Sequence, residues 1–531
     1  MNAYSVAQLH KMRSASETRD WALLDVRERG EADACHIFGA SSVPRRQLEY
    51  RIADLVPAQS TRIVVYDDGD GRAELAAATL RQIGYAEAGH LDGGLPAWRA
   101  AGHPVISGSN VPSKAFGERV HTEEHPQALT ALEVKQRMDA GENMVICDVR
   151  TPGEYQEGHI PGGYEAPSFD LVLNAYDLAR KHDTVIVNCA GRTRSIIAAR
   201  TLHLLGIENA YAMENGTSGW LLEDLALERD VMRQLDAPSA ASAEQAKVTA
   251  ARLADQVGVG IVSNDELATR IAERGARNVY AYDVRSLDTY RDGHIPGTAA
   301  LPGGQAIQRA DDFFAVPDGE ILLVDDDDAR AALTGYWLRR IGYPHVSRLA
   351  GGLPGWRKEG RPVETGRPRS EPRGLAAAAK STSFVDAASA REMIGGPTAA
   401  TVIDVGPSRQ FAQGHLPGAR WLPRGWLELR IGDIADKGTA LLVTAREESQ
   451  AVFAAATLAE LGYRNVTVLR GGTPAWRAAG ETLGKGEPAE EYGGADYVLP
   501  PYQQGKEGML RYLKWEIELV EGSGPAVEGR L

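Results

Sequence analysis

The chain has 531 residues, 43% of them hydrophobic and 24% charged, with a formal net charge of -14. That length exceeds what one hydrophobic core organises, so roughly three to five domains of about 100 to 150 residues are expected. The composition excludes wholesale disorder, and the lack of any run of about 18 uncharged apolar residues excludes a helical membrane architecture. The acidic balance argues against nucleic acid, whose binders present a concentrated basic face. No apolar run follows a basic stretch between Met1 and Asp20, so a cytoplasmic location is expected. Cys35, Cys147 and Cys189 are the only cysteines. That set suits neither a disulfide framework nor a four-cysteine zinc site and implies a reducing compartment.

Internal repetition is the dominant feature. Copy one opens on the strand-like run LLDVR at Asp25, continues through a turn at His36 and the β-run IVVY, and passes along a helix-like stretch to Gly84. It closes on LDGGLPAWRAAG around Trp98. Copy two repeats the order as VICDVR at Asp148, GHIPGG at His159, VIVN, Gly206 and MENGTSGW at Trp220. Copy three has VYAYDVR at Asp283, GHIPGT at His294, ILLV, Gly342 and LAGGLPGWRKEG at Trp356. Copy four has TVIDVG at Asp404, GHLPGA at His415, LLVT, Gly462 and LRGGTPAWRAAG at Trp476. The aspartates stand 123, 135 and 121 residues apart, so each copy is large enough for its own core. Apolar strands alternating with helices predict four doubly wound α/β domains, each a parallel sheet with helices on both faces, arranged as beads.

The copies span residues 1–110, 123–232, 261–365 and 383–484, separated by polar and small residues near 107–122 and by linkers at 233–260 and 366–382. The linker 233–260 has helix-forming composition and is expected to cross between pairs as a helix. In the tail, 485–531, Met509, Leu510, Leu513, Ile517 and Val520 recur at helical spacing. Four glutamates on the other positions favour docking on a domain over binding a membrane.

Aligning the copies on the glycine that ends the second helix puts four short loops in register. Copy two has Cys189-Ala190-Gly191-Arg192-Thr193-Arg194-Ser195 between VIVN and the apolar helix IIAARTLHLLG; the position of Cys189 is Asp67 in copy one, Asp325 in copy three and Ala445 in copy four. A strand turning tightly into a helix aims backbone N–H groups and the positive helix end at one point, and that stabilises an anion. A free thiol ionises near pH 8.5, and a helix start with adjacent cations commonly brings that toward neutrality, so a nucleophilic thiolate is expected. Arg192 and Arg194 would orient a tetrahedral oxyanion such as a thiosulfonate. No histidine adjoins the cysteine in sequence, so activation is expected from the loop rather than from a general base.

DVR, GHIPG, the CxxxxR loop from Cys189 to Arg194 and the Gly-Trp close resemble the rhodanese family over about nine-tenths of the chain. The resemblance implies a thiosulfate sulfurtransferase. Cys189 would take a sulfane sulfur from thiosulfate or another persulfide or thiosulfonate donor and pass it, through a persulfide, to a thiophilic acceptor such as cyanide or a thiol. It also implies that an inactive copy one covers copy two, with copies three and four as a second pair. Ser195 stands where the related dual-specificity phosphatases place their arginine, so phosphatase or arsenate reductase activity is disfavoured. Copies one, three and four read as inert, since a carboxylate in the cradle repels thiosulfate and Gln450 replaces the arginine beside Ala445.

A second reading makes the chain a sulfur carrier or scaffold whose inert copies bind a partner protein of sulfur metabolism. Asp148, Arg150, Glu154 and His159 recur in part in the inert copies and are read as a supporting network. The four tryptophans and Cys147 read as core, Cys35 as incidental, and the run Asp325 to Asp328 as a solvated or ion-paired loop. No metal or cofactor is expected, and neither a nucleic-acid nor a membrane partner.

Overall fold

The computed structural model describes residues 2–14, 19–366, 371–396, 399–489, 492 and 495–521. Part of the linker, 367–370, and the end of the tail, 522–531, lie outside the described residues. Four five-stranded sheets form, every strand pairing is parallel, and each sheet has its strands in the order first, fifth, fourth, second, third.

In copy two the strands are β1 (Ala128–Leu129), β2 (Met144–Asp148), β3 (Tyr164–Glu165), β4 (Thr184–Asn188) and β5 (Ala210–Met213). The helices that bear on function are α1 (Val111–Glu124), α2 (Pro152–Glu157), α3 (Leu171–Lys181), α4 (Thr193–Leu204), α5 (Gly216–Leu222), α6 (Ala240–Gln256), α7 (Ala329–Ile341) and α8 (Gly505–Glu521). β4 is the middle strand and is buried along its whole length, which explains why VIVN reads as a continuous apolar run. α2 starts on a capping box in which Thr151 and Glu154 satisfy each other's backbone N–H groups. Trp98, Trp220, Trp356 and Trp476 are buried as expected, each donating its ring N–H to a carbonyl six residues on.

The copies are not beads. One face of each sheet keeps its own apolar cluster, but the opposite faces of copies one, two and three merge into a single buried core. The cause is that α4 and α7 carry apolar side chains on more than one face and are buried nearly all round. Trp337 of α7 donates to Thr201 Oγ1 of α4 at 3.0 Å, and the linker helix α6 packs on α3 and α7.

The expected pairing of copies one and two is replaced by another. Copy two packs on copy three, where Arg330 pairs with Asp170 at 3.1 Å. Copy one packs on copy three, where Tyr280 donates to the Leu55 carbonyl at 2.8 Å, and on copy four, where Arg424 pairs with Glu49 at 2.5 Å. Between copies one and two stands α1, formed by residues that the sequence marks only as a boundary. In the tail, α8 buries Met509 and Leu513, but Leu510 is exposed and Glu516, on a position read as solvent-facing, is wholly buried. Among the described residues no helix is long and apolar enough to cross a membrane.

Candidate functional site

Cys189 follows the last residue of β4, at the carboxyl end of the middle strand, where open α/β sheets place their ligands. Four residues later α4 begins at Thr193. The Sγ atom lies 3.5 Å from Ser195 Oγ, whose hydroxyl donates to the Arg192 carbonyl at 2.8 Å.

The copies without the thiol show what this loop binds. In copy one the Asp67 carboxylate accepts the N–H groups of Gly69, Gly71 and Ala73 at 2.9, 3.0 and 2.9 Å. In copy three Asp325 accepts those of Asp326, Arg330 and Ala331 at 2.7, 2.8 and 3.2 Å. The loop is an anion cradle, filled in both copies by a carboxylate at the cysteine's position. In copy two the carboxylate comes from elsewhere. Thr193, the counterpart of Gly71, gives its N–H to Glu516 Oε1 of α8 at 3.3 Å and its hydroxyl to the same oxygen.

The closing glycine signature belongs to this loop too. A Cβ on Gly216 would stand 2.1 Å from the Cys189 carbonyl oxygen, and the same clash awaits at Gly94, Gly352 and Gly472 against the residues in the cysteine position. Thr217 donates its N–H to that carbonyl at 2.7 Å. Asn215, where the other copies have glycine, adopts the left-handed backbone at φ 58 that asparagine tolerates. The departure from Gly-Gly therefore lies against the loop without disturbing it.

Both arginines of the loop are committed to carboxylates. Arg192 is bidentate to Glu118 of α1 at 2.7 and 2.8 Å, with Asn215 Oδ1 at 3.4 Å. Arg194 is bidentate to Glu154 at 2.8 and 2.7 Å. Burial pushes the Glu154 carboxyl up, and the charge and hydrogen bonds of Arg194 outweigh it, holding that group at about 2. Copy one, which lacks the thiol, repeats the second pair as Arg72 with Glu31 at 2.7 Å, which marks it as a brace of the fold. The expectation that these two guanidinium groups recruit the donor is thereby weakened, because the charge of each is already met.

The remaining supporting residues converge behind the loop. Arg150 wraps Asp148 with Nε at 2.9 Å and Nη2 at 2.7 Å, and reaches the Gly158 carbonyl at 2.7 Å. His159 bonds the Tyr155 carbonyl through Nδ1 at 3.1 Å and stacks on that ring at 3.9 Å. The same stacks recur at His294 and His415, in copies without a nucleophile, in keeping with a structural role. Arg150 differs in one respect from its counterparts. In copies one and three the equivalent Nη1 reaches Asp68 at 3.0 Å and Asp326 at 2.9 Å. Ala190 replaces that carboxylate in copy two, and Arg150 Nη1 is buried without a hydrogen-bond partner among the described residues. The run Asp325 to Asp328 spreads over three arginines: Asp325 and Asp327 on Arg330, Asp326 on Arg285, Asp328 on Arg348.

Cys189 is only 2% exposed. It lines a cavity of about 470 Å³ walled by Tyr512 and Glu516 of α8, with Lys114 of α1 and Arg29 of copy one on the other walls. Copy one thus contributes to the chamber, though not as a facing domain. Lys114, Glu118, Tyr512 and Glu516 are invisible to the repeat pattern, since all four lie outside the copies. Cys147 is fully buried and burial pushes its thiol up to about 12. Cys35 is half-buried, with burial raising its thiol as well.

Copy two is thus an α/β domain that sets a cysteine in the loop between the middle strand of a parallel sheet and a buried helix, where copies one and three cradle a carboxylate. The family model described as Rhodanese-like domain matches residues 5–101, 130–223, 263–359 and 386–479. The chain belongs to the rhodanese family, with four tandem domains. It is 25% identical over 276 residues to a thiosulfate sulfurtransferase of Azotobacter vinelandii, an alignment covering 44% of this chain and 94% of that one. A thiosulfate sulfurtransferase of Pseudomonas aeruginosa is 23% identical over 269 residues, with the same two coverages. A crystal structure of a thiosulfate sulfurtransferase from Pseudomonas aeruginosa superposes with a TM-score of 0.90 at 35% identity, covering 100% of this chain and 99% of that one.

Proposed function

We propose that the protein is a sulfurtransferase that moves a sulfane sulfur from thiosulfate, or another thiosulfonate or persulfide donor, to cyanide or a thiol through a persulfide on Cys189. The observation that carries this reading is the position of Cys189. In the one copy with a thiol there, the sulfur lines a chamber at the mouth of a cradle that holds carboxylates in two other copies.

The Cys189 thiolate attacks the outer sulfur of thiosulfate, the S–S bond breaks, and the bonding pair leaves on sulfite, so that Cys189 becomes a persulfide. An acceptor nucleophile then attacks the outer sulfur of the persulfide and frees the Cys189 thiolate. Loop N–H groups and the start of α4 favour negative charge at both stages. Asp148, Arg150, Glu154 and His159 act as positioning residues that hold the loop against β2 and α2. No metal or cofactor enters the scheme.

The test is incubation with thiosulfate followed by the intact mass and the tryptic peptide that contains Cys189. A gain of one sulfur there, absent in Cys189→Ser and present in Cys147→Ser and Cys35→Ser, is expected. A gain on another cysteine, or none, overturns the reading. The carrier or scaffold reading draws on the self-filled cradles of copies one and three, and predicts poor turnover with free thiosulfate alongside stable association with a protein donor.

A further inference from the structure

The chamber in front of Cys189 is finished by residues that belong to none of the four repeats. Glu516 is wholly buried, yet its hold on the cradle is thin. Asp67 collects three loop N–H groups in copy one, whereas Glu516 takes one N–H and one hydroxyl, both on Oε1. Its other oxygen, Oε2, is buried without a hydrogen-bond partner among the described residues. An unsatisfied buried acceptor is costly, so this carboxylate is more readily exchanged for another anion than Asp67 would be.

A cation faces it. Lys114 Nζ stands 4.9 Å from the centroid of the Tyr512 ring and 4.8 Å from that of Trp515, and makes no ion pair among the described residues. Burial lowers the Lys114 ammonium, and the Glu516 carboxylate is the first charge that counters it. With Arg192 and Arg194 each spent on a glutamate and Arg29 on Asp312, the chamber cations without an ion pair among the described residues are Lys114 and Arg511, and Lys114 is the less exposed of the two.

We infer that Glu516 and Lys114 set the donor specificity of the site: Glu516 stands in the anion place of the cradle, the charged head of the donor enters by displacing it, and Lys114 binds that head. This rests on the reading of Cys189 as the sulfur acceptor. The exchange leaves no cradle N–H unpaired, since one anion replaces another. It also makes the rate depend on donor charge, because Glu516 opposes each negative charge that approaches and Lys114 attracts it.

The experiment compares two donors that leave the same persulfide on Cys189: thiosulfate, a dianion that releases sulfite, and methanethiosulfonate, a monoanion that releases methanesulfinate. The second-order rate constant for the gain of one sulfur is read by mass. Glu516→Gln keeps an oxygen for Thr193 and is expected to raise the thiosulfate rate about tenfold and the methanethiosulfonate rate by clearly less. Lys114→Met is expected to lower the thiosulfate rate about tenfold, and Lys114→Arg to restore most of it. A ratio of the two rates that stays unchanged in both Glu516→Gln and Lys114→Met overturns the inference while leaving Cys189 as the acceptor. Failure of either donor to add sulfur to the parent protein and to every variant sinks the reading of Cys189 as well.

Discussion

Glu154→Gln neutralises one half of the pair that braces the Cys189 loop. The carboxylate receives both terminal nitrogens of Arg194, and the arginine side chain is 7% exposed against 24% for the glutamate. The Glu154 carboxyl is held at about 2 against an ordinary 4.5. At about 1.4 kcal/mol per pH unit that gap corresponds to roughly 3 kcal/mol, close to the cost of orphaning a buried charge. Solvent reaching the glutamate trims this to about 2 to 3 kcal/mol. The folded-state value lies below the unfolded one, so the stabilisation is present above about pH 4.5 and is lost as pH falls from there through 2. Native-state hydrogen exchange at the α4 amides from Ile196 to Leu202 reads the local opening free energy. The parent protein is expected to exceed Glu154→Gln by about 2 to 3 kcal/mol at pH 7, with the difference shrinking steadily between pH 4.5 and 3. A difference below ~0.5 kcal/mol at pH 7, or one independent of pH, refutes the brace.

Gly216→Ala forces a Cβ to 2.1 Å from the Cys189 carbonyl at a φ of 51, so it is expected to lower the melting temperature of copy two and to abolish persulfidation, whereas Gly206→Ala, with open space around its Cβ, leaves persulfidation intact. Cys147, with its thiol pushed up to about 12, is expected to resist iodoacetamide at pH 8 in the folded protein and to react once the chain is unfolded in urea. In copy four Gly406 replaces the arginine of the other copies, and burial lifts the Asp404 carboxyl to about 7. A raised carboxyl destabilises the fold progressively as pH rises from about 4 through 7, so Asp404→Asn is expected to stabilise copy four at pH 9 by about 4 kcal/mol and to have little effect at about pH 3.5, as read by urea unfolding.

The fold was legible because each copy repeats the same order of apolar strand, turn, helix and Gly-Trp close, and a parallel sheet buried on both faces leaves that mark plainly. Cys189 was legible because the same loop appears four times with different residues at one position. The contacts between copies were not legible. The outer faces of α4 and α7 are apolar, but which copy covers them depends on the shape of the whole chain, and α1 wedges between copies one and two. Glu516 looked like a solvent-facing residue of an amphipathic tail, since its spacing says nothing about a buried threonine N–H more than three hundred residues away. Arg192 and Arg194 looked like free cations for the same reason: Glu118 lies in an apparent boundary, and Glu154, read only as part of a supporting network, also caps α2. The closing glycines were visible as a signature, but their contact with the carbonyl of the cysteine position appears only once the sheet is assembled.

The central claim is that a single thiol, Cys189, takes the sulfur. Mixing the protein with excess thiosulfate and no acceptor, then following released sulfite, tests it most directly. A burst of one sulfite per chain that vanishes in Cys189→Ser is the result this account predicts. A burst that survives that substitution, or sulfite release that never exceeds the protein-free rate, contradicts it.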